Sequence, residues 1–395
     1  MKKRLLACLV LCSMVFALCG MSAFADEGVA EDEEAVELSD DIYDFQLKIN
    51  GELYAFPMSY TDFTAMGWEY KYDDTETLSP YRYTIAETFT KGDLKIYGTM
   101  YNLGINTVTY AESMVGGISM DKYQLEDAPE TVVELPGGIE YGVSTQEDII
   151  AAYGTPSDTY EGSMYVELTY KYDYDQKWTF HVYNESGVLE DFEVRNFIED
   201  EEANAAAAAE VSDEPTEEVL AYVAPEELGD EPLSFVVEYA GDLYQLPAPV
   251  SVFLENGWTL KSEYEGSVFA GRIFDVISMM KDNQELRAYI RNYNPDAQVA
   301  ENCFVTYVRS GVNSCDLPLT IPGGITVGMT NDELLAALEG MDYEVNDSSS
   351  YYIYYTIANP DTYGEDIEIS VDLETNNVVE IEIDYDPNEL PFLAE

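Results

Sequence analysis

The chain has 395 residues, 46% of them hydrophobic, and a formal charge of −60 from 78 acidic and 18 basic residues. Such an excess of acid excludes nucleic acid and anionic lipid surfaces as partners, because both need a basic footprint. With one histidine, five cysteines and no glycine-rich phosphate loop opening a helix, zinc, a His-activated nucleophile and nucleotide binding lose their usual residues too.

Residues 1–25 read as an export signal. Lys2, Lys3 and Arg4 form a basic start, Leu5 to Cys19 an apolar run short of a bilayer span, and Ala23-Phe24-Ala25 a cleavage site. The protein is therefore expected to be secreted or held at the cell surface after cleavage behind Ala25, with no membrane span. Lipid anchoring at Cys19 is the alternative, and Leu18 fits it poorly where a small residue is wanted. Loss of the three basic residues takes the charge from −60 to −63. Residues 26–41 hold nine acids and no base, which predicts a disordered acidic tail.

The chain then says much the same thing twice. FQLKINGELYAFPMSYTDFTAMGW (45–68) and FVVEYAGDLYQLPAPVSVFLENGW (235–258) share eight of 24 positions without a gap, including Gly51/Gly241, Pro57/Pro247 and Trp68/Trp258. This predicts an α+β fold of two tandem repeats, 42–196 and 233–388, joined by an acidic Ala-rich linker over 197–232. Within the linker, residues 199–231 carry thirteen acids and no Lys or Arg, and read as extended or partly helical.

Each repeat is expected to open with antiparallel hairpins and a short helix, over 42–130 and 233–317. Asn50-Gly51 is a strong hairpin signal, and Ala240-Gly241 takes its place in the second copy. Ser59 is placed to cap the helix that follows and Gly67 to end it; Pro249 is tolerated at the equivalent start. Trp68 and Trp258 are expected in the core. A second hairpin pairs 81–89 with 94–101, and 273–279 with 286–293. One further strand is expected over 110–118, and its counterpart over 302–309.

A capped helix on an antiparallel meander should complete each repeat, over 131–196 and 318–388. LPGGIEYGVSTQEDIIAAYG (135–154) and IPGGITVGMTNDELLAALEG (321–340) each turn at Pro-Gly-Gly, then offer Ser144 or Thr330 as cap with Glu147 or Glu333 three residues on. Gly154 and Gly340 end the helices. Meander strands are expected at 164–173, 177–183 and 188–195, and at 351–357, 366–372 and 378–384. This helix-and-meander pattern, Gly142-Val143-Ser144 to Gly154 and Gly328-Met329-Thr330 to Gly340, resembles the module of beta-lactamase inhibitor protein (BLIP)-like proteins and of the SmpA/OmlA envelope lipoproteins. The resemblance covers about 60 residues of each repeat and implies a non-catalytic extracytoplasmic module whose sheet face meets a protein. It carries over no contact residue. The opening halves resemble secreted repeats of Gram-positive gut-type bacteria.

Beyond the signal only Cys303 and Cys315 remain, and outside the cell such a pair is expected to form a local disulfide. His181 reads as a surface residue of a strand. Among 33 tyrosines, the runs containing Tyr165, Tyr170 and Tyr172, and Tyr351, Tyr352, Tyr354 and Tyr355, are the candidate partner-binding face, since Tyr is large, rigid and amphipathic. No catalytic, cofactor or metal residues are expected. The favoured function is a secreted protein- or peptide-binding module, inhibitor-like, whose partner is a protein or basic peptide at the cell surface or in the medium. Loosely held calcium is an option of the charge. The alternatives are an acidic spacer of the cell envelope and a carboxylate-pair hydrolase.

Overall fold

Both first hairpins close as their turn residues require. Asn50 and Gly51 adopt φ of 52° and 82°, and Ala240 and Gly241 φ of 54° and 91°. They join Gln46–Ile49 to Glu52–Ala55 and Val236–Tyr239 to Asp242–Gln245. The computed structural model describes residues 37–393, apart from 126, 313, 361 and 363. The export signal, Cys19 and residues 26–36 of the acidic tail lie outside the described residues.

The described chain is mainly antiparallel β-sheet with a few short helices. One four-stranded sheet runs Ile139–Glu140, Val133–Leu135, Gln46–Ile49, Glu52–Ala55, and another runs Asp242–Gln245, Val236–Tyr239, Leu319–Ile321, Ile325–Thr326. A ten-stranded sheet has the main path Asp158–Glu161, Tyr165–Asp173, Gln176–Tyr183, Leu189–Asn196, Met114–Asp121, Leu94–Asn102, Glu87–Lys91, Glu69–Tyr70. A nine-stranded sheet has the main path Thr259–Leu260, Phe274–Lys281, Gln284–Arg291, Phe304–Gly311, Asn377–Tyr385, Glu365–Asp372, Tyr352–Ala358, Glu344–Asn346. Buried side chains form two clusters, one drawn from Ile42 to Val194 and one from Phe235 to Ile383. Trp68 and Trp258 are buried, one in each.

The helices follow local chemistry. Helix α1 (Tyr60–Ala65) starts at Ser59, whose hydroxyl accepts from the Asp62 N–H at 3.0 Å. Helix α2 (Gln146–Tyr153) is capped one residue later than expected, by Thr145 with Asp148 as its reciprocal partner. Ser144 is buried instead and accepts from the Glu140 N–H at 3.0 Å, tightening the preceding turn. Thr145→Ala is thus expected to cost about 1 kcal/mol in a denaturant melt. No loss there would mean that the cap contributes nothing.

Helices α3 (Glu201–Ala209) and α4 (Glu217–Ala221) lie in the acidic connection, and α3 takes up the Ala205–Ala209 run. The connection is fastened at both ends: Asn204 Nδ2 donates to the Leu103 carbonyl at 2.9 Å, and the Tyr222 hydroxyl accepts from the Gln245 N–H at 2.9 Å. Helix α5 (Val250–Glu255) begins after Pro249. Helix α6 (Asn331–Ala337) carries the expected Thr330–Glu333 capping box, but ends at Leu338, two residues before Gly340.

Two strands are shorter than their patterns suggest. Positive φ at Tyr81 (56°) and Ala86 (57°) breaks the first strand of the 81–101 hairpin, leaving Arg82–Tyr83 and Glu87–Lys91. A single 3-10 turn over Tyr110–Glu112 delays the next strand to Met114. The expected disulfide is corrected: Cys303 and Cys315 are both buried free thiols. The strand Phe304–Gly311 runs between them, and Cys315 accepts the Gly311 N–H at its far end. Eight extended residues cover about 26 Å, against the roughly 6 Å between Cα atoms that a disulfide needs.

Candidate functional site

Side chains alternate across a strand, so each tyrosine run divides between the two faces of its sheet. In Tyr165–Asp173, Leu168 and Tyr170 face the core. Tyr170 is 1% exposed, gives its hydroxyl to the Gly154 carbonyl at 3.0 Å and has its pKa raised by burial to about 12. It is therefore not part of a binding face. Tyr355, 4% exposed, is corrected for the same reason: with Ile357 it points into the second core.

Tyr165 faces outward, its ring centroid 4.3 Å from that of His181 and 5.8 Å from that of Tyr183. Tyr172 is exposed beyond the core's edge, 5.5 Å from the Tyr43 ring. Tyr352 and Tyr354 are half-buried on the outer face, 6.2 Å apart, and Tyr351 is exposed just before the strand. Of the seven candidates, Tyr165, Tyr352 and Tyr354 face outward, Tyr165 beside Tyr183 and Tyr352 beside Tyr354, while Tyr172 and Tyr351 are exposed at strand ends.

His181 is more engaged than a plain surface residue. It stands opposite Glu167 on one side and Asp191 on the other, with Nδ1 2.7 Å from Asp191 Oδ2 and Nε2 3.0 Å from Glu167 Oε2. Burial alone would lower its pKa. The hydrogen bonds and charges of Asp191 and Glu167 outweigh that and hold it above the ordinary value.

Sequence reasoning missed two rows of like charge that arise only when strands pair. Lys171 stands opposite Lys177, and Lys177 opposite Arg195. On the other large sheet Asp366 stands opposite Asp384, and Glu368 opposite Glu382. Burial, then the charges of Asp366, Asp386 and Glu382, push the Asp384 carboxyl up to about 6. Burial and then Glu382 also raise Asp366, Glu368 and Glu380. Charges at alternate positions of neighbouring strands were the available signal, and it needed the register to be read.

Among the described residues no group of three or more His, Cys, Asp or Glu is placed to hold a metal ion. The acids of the nine-stranded sheet stand side by side along their strands. Nor is any described helix long and apolar enough to cross a membrane. No protein-family model, curated protein or solved structure matches this chain.

Proposed function

We propose that the chain is a secreted, non-catalytic binding protein of two tandem units that recognises a protein or basic peptide through the outer faces of its meander sheets. The observation that carries the reading is the pair Tyr165 and Tyr352. Each opens a long strand of a terminal meander and points away from the core. Their neighbouring strands continue in the same order, Gln176–Tyr183 then Leu189–Asn196, and Glu365–Asp372 then Asn377–Tyr385. The two four-stranded sheets, of like order, support the tandem reading. Acids flank both tyrosine groups, which favours a basic partner.

Each large sheet also ends in a short, wholly exposed edge strand, Asp158–Glu161 and Glu344–Asn346. Such an edge offers unpaired backbone groups to an extended peptide. The resemblance to beta-lactamase inhibitor-like modules points the same way. The test is capture from culture supernatant and cell-wall extract at low and high salt, with a Tyr165→Ser/Tyr352→Ser double variant beside the unaltered chain. One partner that survives high salt and is lost by the variant is the expected result. Retention of salt-labile basic proteins alone, equal in both, would replace this reading with the acidic spacer.

A further inference from the structure

Four of the chain's 18 Lys and Arg residues line one pocket of about 320 Å³ beside the ten-stranded sheet: Arg82, Lys171, Lys177 and Arg195. Directly opposite like charges destabilise a sheet. Here three such cations stand in one row on three neighbouring strands, in a protein with acids to spare for neutralising them. Lys171, Lys177 and Arg82 form no ion pair with any described residue. Arg195 gives Nη2 to Glu193 at 2.9 Å, yet its buried Nε has no hydrogen-bond partner among the described residues. Its guanidinium lies over the Tyr83 and Phe197 rings, at 5.1 and 5.3 Å from their centroids. Tyr81, Tyr101 and Tyr174 add phenolic wall, and Asp175 is the pocket's one acid.

We propose that this pocket binds a sugar-sized oxyanion, a phosphorylated or sulfated saccharide. The cation row takes the anionic group: strands lie about 4.8 Å apart, so neighbouring ammonium and guanidinium groups can share one tetrahedral oxyanion. Arg195, fixed in plane by its two rings, supplies the fork that matches such oxygens. The aromatic walls receive the sugar ring, and the volume is that of a small-molecule site. The chain's overall negative charge repels anions at long range. That repulsion is screened beyond about 8 Å at physiological salt, leaving the local row to capture its ligand.

Titration calorimetry and melting in buffer near 0.15 M salt, the range in which the far field is screened, test this with glucose 6-phosphate, glucose 6-sulfate, glucose and inorganic phosphate. The expected result is that one or both modified sugars bind, that glucose does not, and that inorganic phosphate binds about tenfold more weakly for want of ring contacts. The arm that binds more tightly identifies the source, phosphate or sulfate. Lys171→Gln/Lys177→Gln is expected to lose at least about tenfold in affinity, while its melting temperature without ligand stays level or rises. Lys122→Gln, in the turn after Met114–Asp121 and outside the pocket, should bind normally. Absence of binding by both modified sugars, equal binding of inorganic phosphate, or retained binding by the double variant would each overturn the proposal. A double variant that melts lower without ligand and binds normally would make the row a structural counter-charge.

Discussion

Lowering the pH from 7.5 to 5 is expected to raise the melting temperature of the chain by roughly 5 °C, the reverse of ordinary acid destabilisation. The sign follows from the carboxylates crowded on the nine-stranded sheet. Asp384 has a folded-state pKa pushed up to about 6 from an ordinary 3.8. The folded chain therefore takes up a proton that the unfolded chain does not, and stability rises as pH falls through that window. Asp366, Glu368 and Glu380 are raised for the same reasons and act in the same direction. His181, raised above its ordinary 6.5, contributes stability that is fully present below that value and lost as pH rises through the folded one. One pKa unit is worth about 1.4 kcal/mol; water still reaches these groups and screens part of it, so a net gain near 2 kcal/mol is the scale.

The opposing groups act at lower pH. The Lys91 and Lys261 ammonium groups hold Glu52 and Glu285 below the usual carboxylate value of 4.5, and those contributions are lost as pH falls beneath it. Stability should therefore peak between about pH 4.5 and 6. Asp384→Asn is expected to raise the melting temperature at pH 7.5 by about 3 °C and to change nothing at pH 4. A stability maximum above pH 7, or an equal effect of the substitution at both pH values, would show that the acids are not crowded in this way.

Much of the fold could be read before any strand was paired, because the informative signals act over a few residues. Asn50-Gly51 needs only its own two positive φ angles, and Thr330 needs only Glu333 three residues on. Trp68 and Trp258 are large enough that burial was the sound expectation. What stayed hidden depends on register and on which face turns inward. The alternation separating Tyr165 from Tyr170 is present in the sequence, but nothing local says which of them meets the core. The shift of one residue from Ser144 to Thr145 comes from a hydrogen bond of Ser144 back to Glu140, a contact set by the turn before the helix. The cysteine pair was misjudged because eleven residues in sequence say nothing of the extended strand that holds the thiols apart. The cation row was the least legible feature, since Lys171, Lys177 and Arg195 become neighbours only through two strand pairings.

Trp178→Ala is expected to remove about 3–5 kcal/mol from one part of the protein and to leave the rest untouched. Trp178 is fully buried, lies nearly parallel to Phe180 with ring centroids 5.6 Å apart, and donates its indole N–H to the Ile42 carbonyl at 2.8 Å. Truncation leaves a cavity and takes the indole donor from the Ile42 carbonyl, which keeps only the Phe45 N–H at 3.3 Å, so the meander and the entry to the first hairpin lose their common anchor. The damage should stop there, because the two buried clusters share no residue. Among the described residues, the direct bonds between the parts of the chain that hold them are Thr107 N–H to the Pro295 carbonyl at 2.9 Å, Gly271 N–H to the Ile105 carbonyl at 2.8 Å and Ala297 N–H to Asn106 Oδ1 at 2.8 Å. The connection adds Asn204 to the Leu103 carbonyl, the Gln245 N–H to Tyr222 and Asn302 to the Glu214 carbonyl; at about 1 kcal/mol each, bonds this few are expected to couple the two cores too weakly for them to melt as one. Calorimetry should then resolve two transitions. Trp178→Ala should lower one of them by more than about 10 °C, and Trp258→Ala, in the second cluster, should lower the other. If either substitution moves a single shared transition, the chain is one cooperative unit, and the tandem reading fails as a statement about folding.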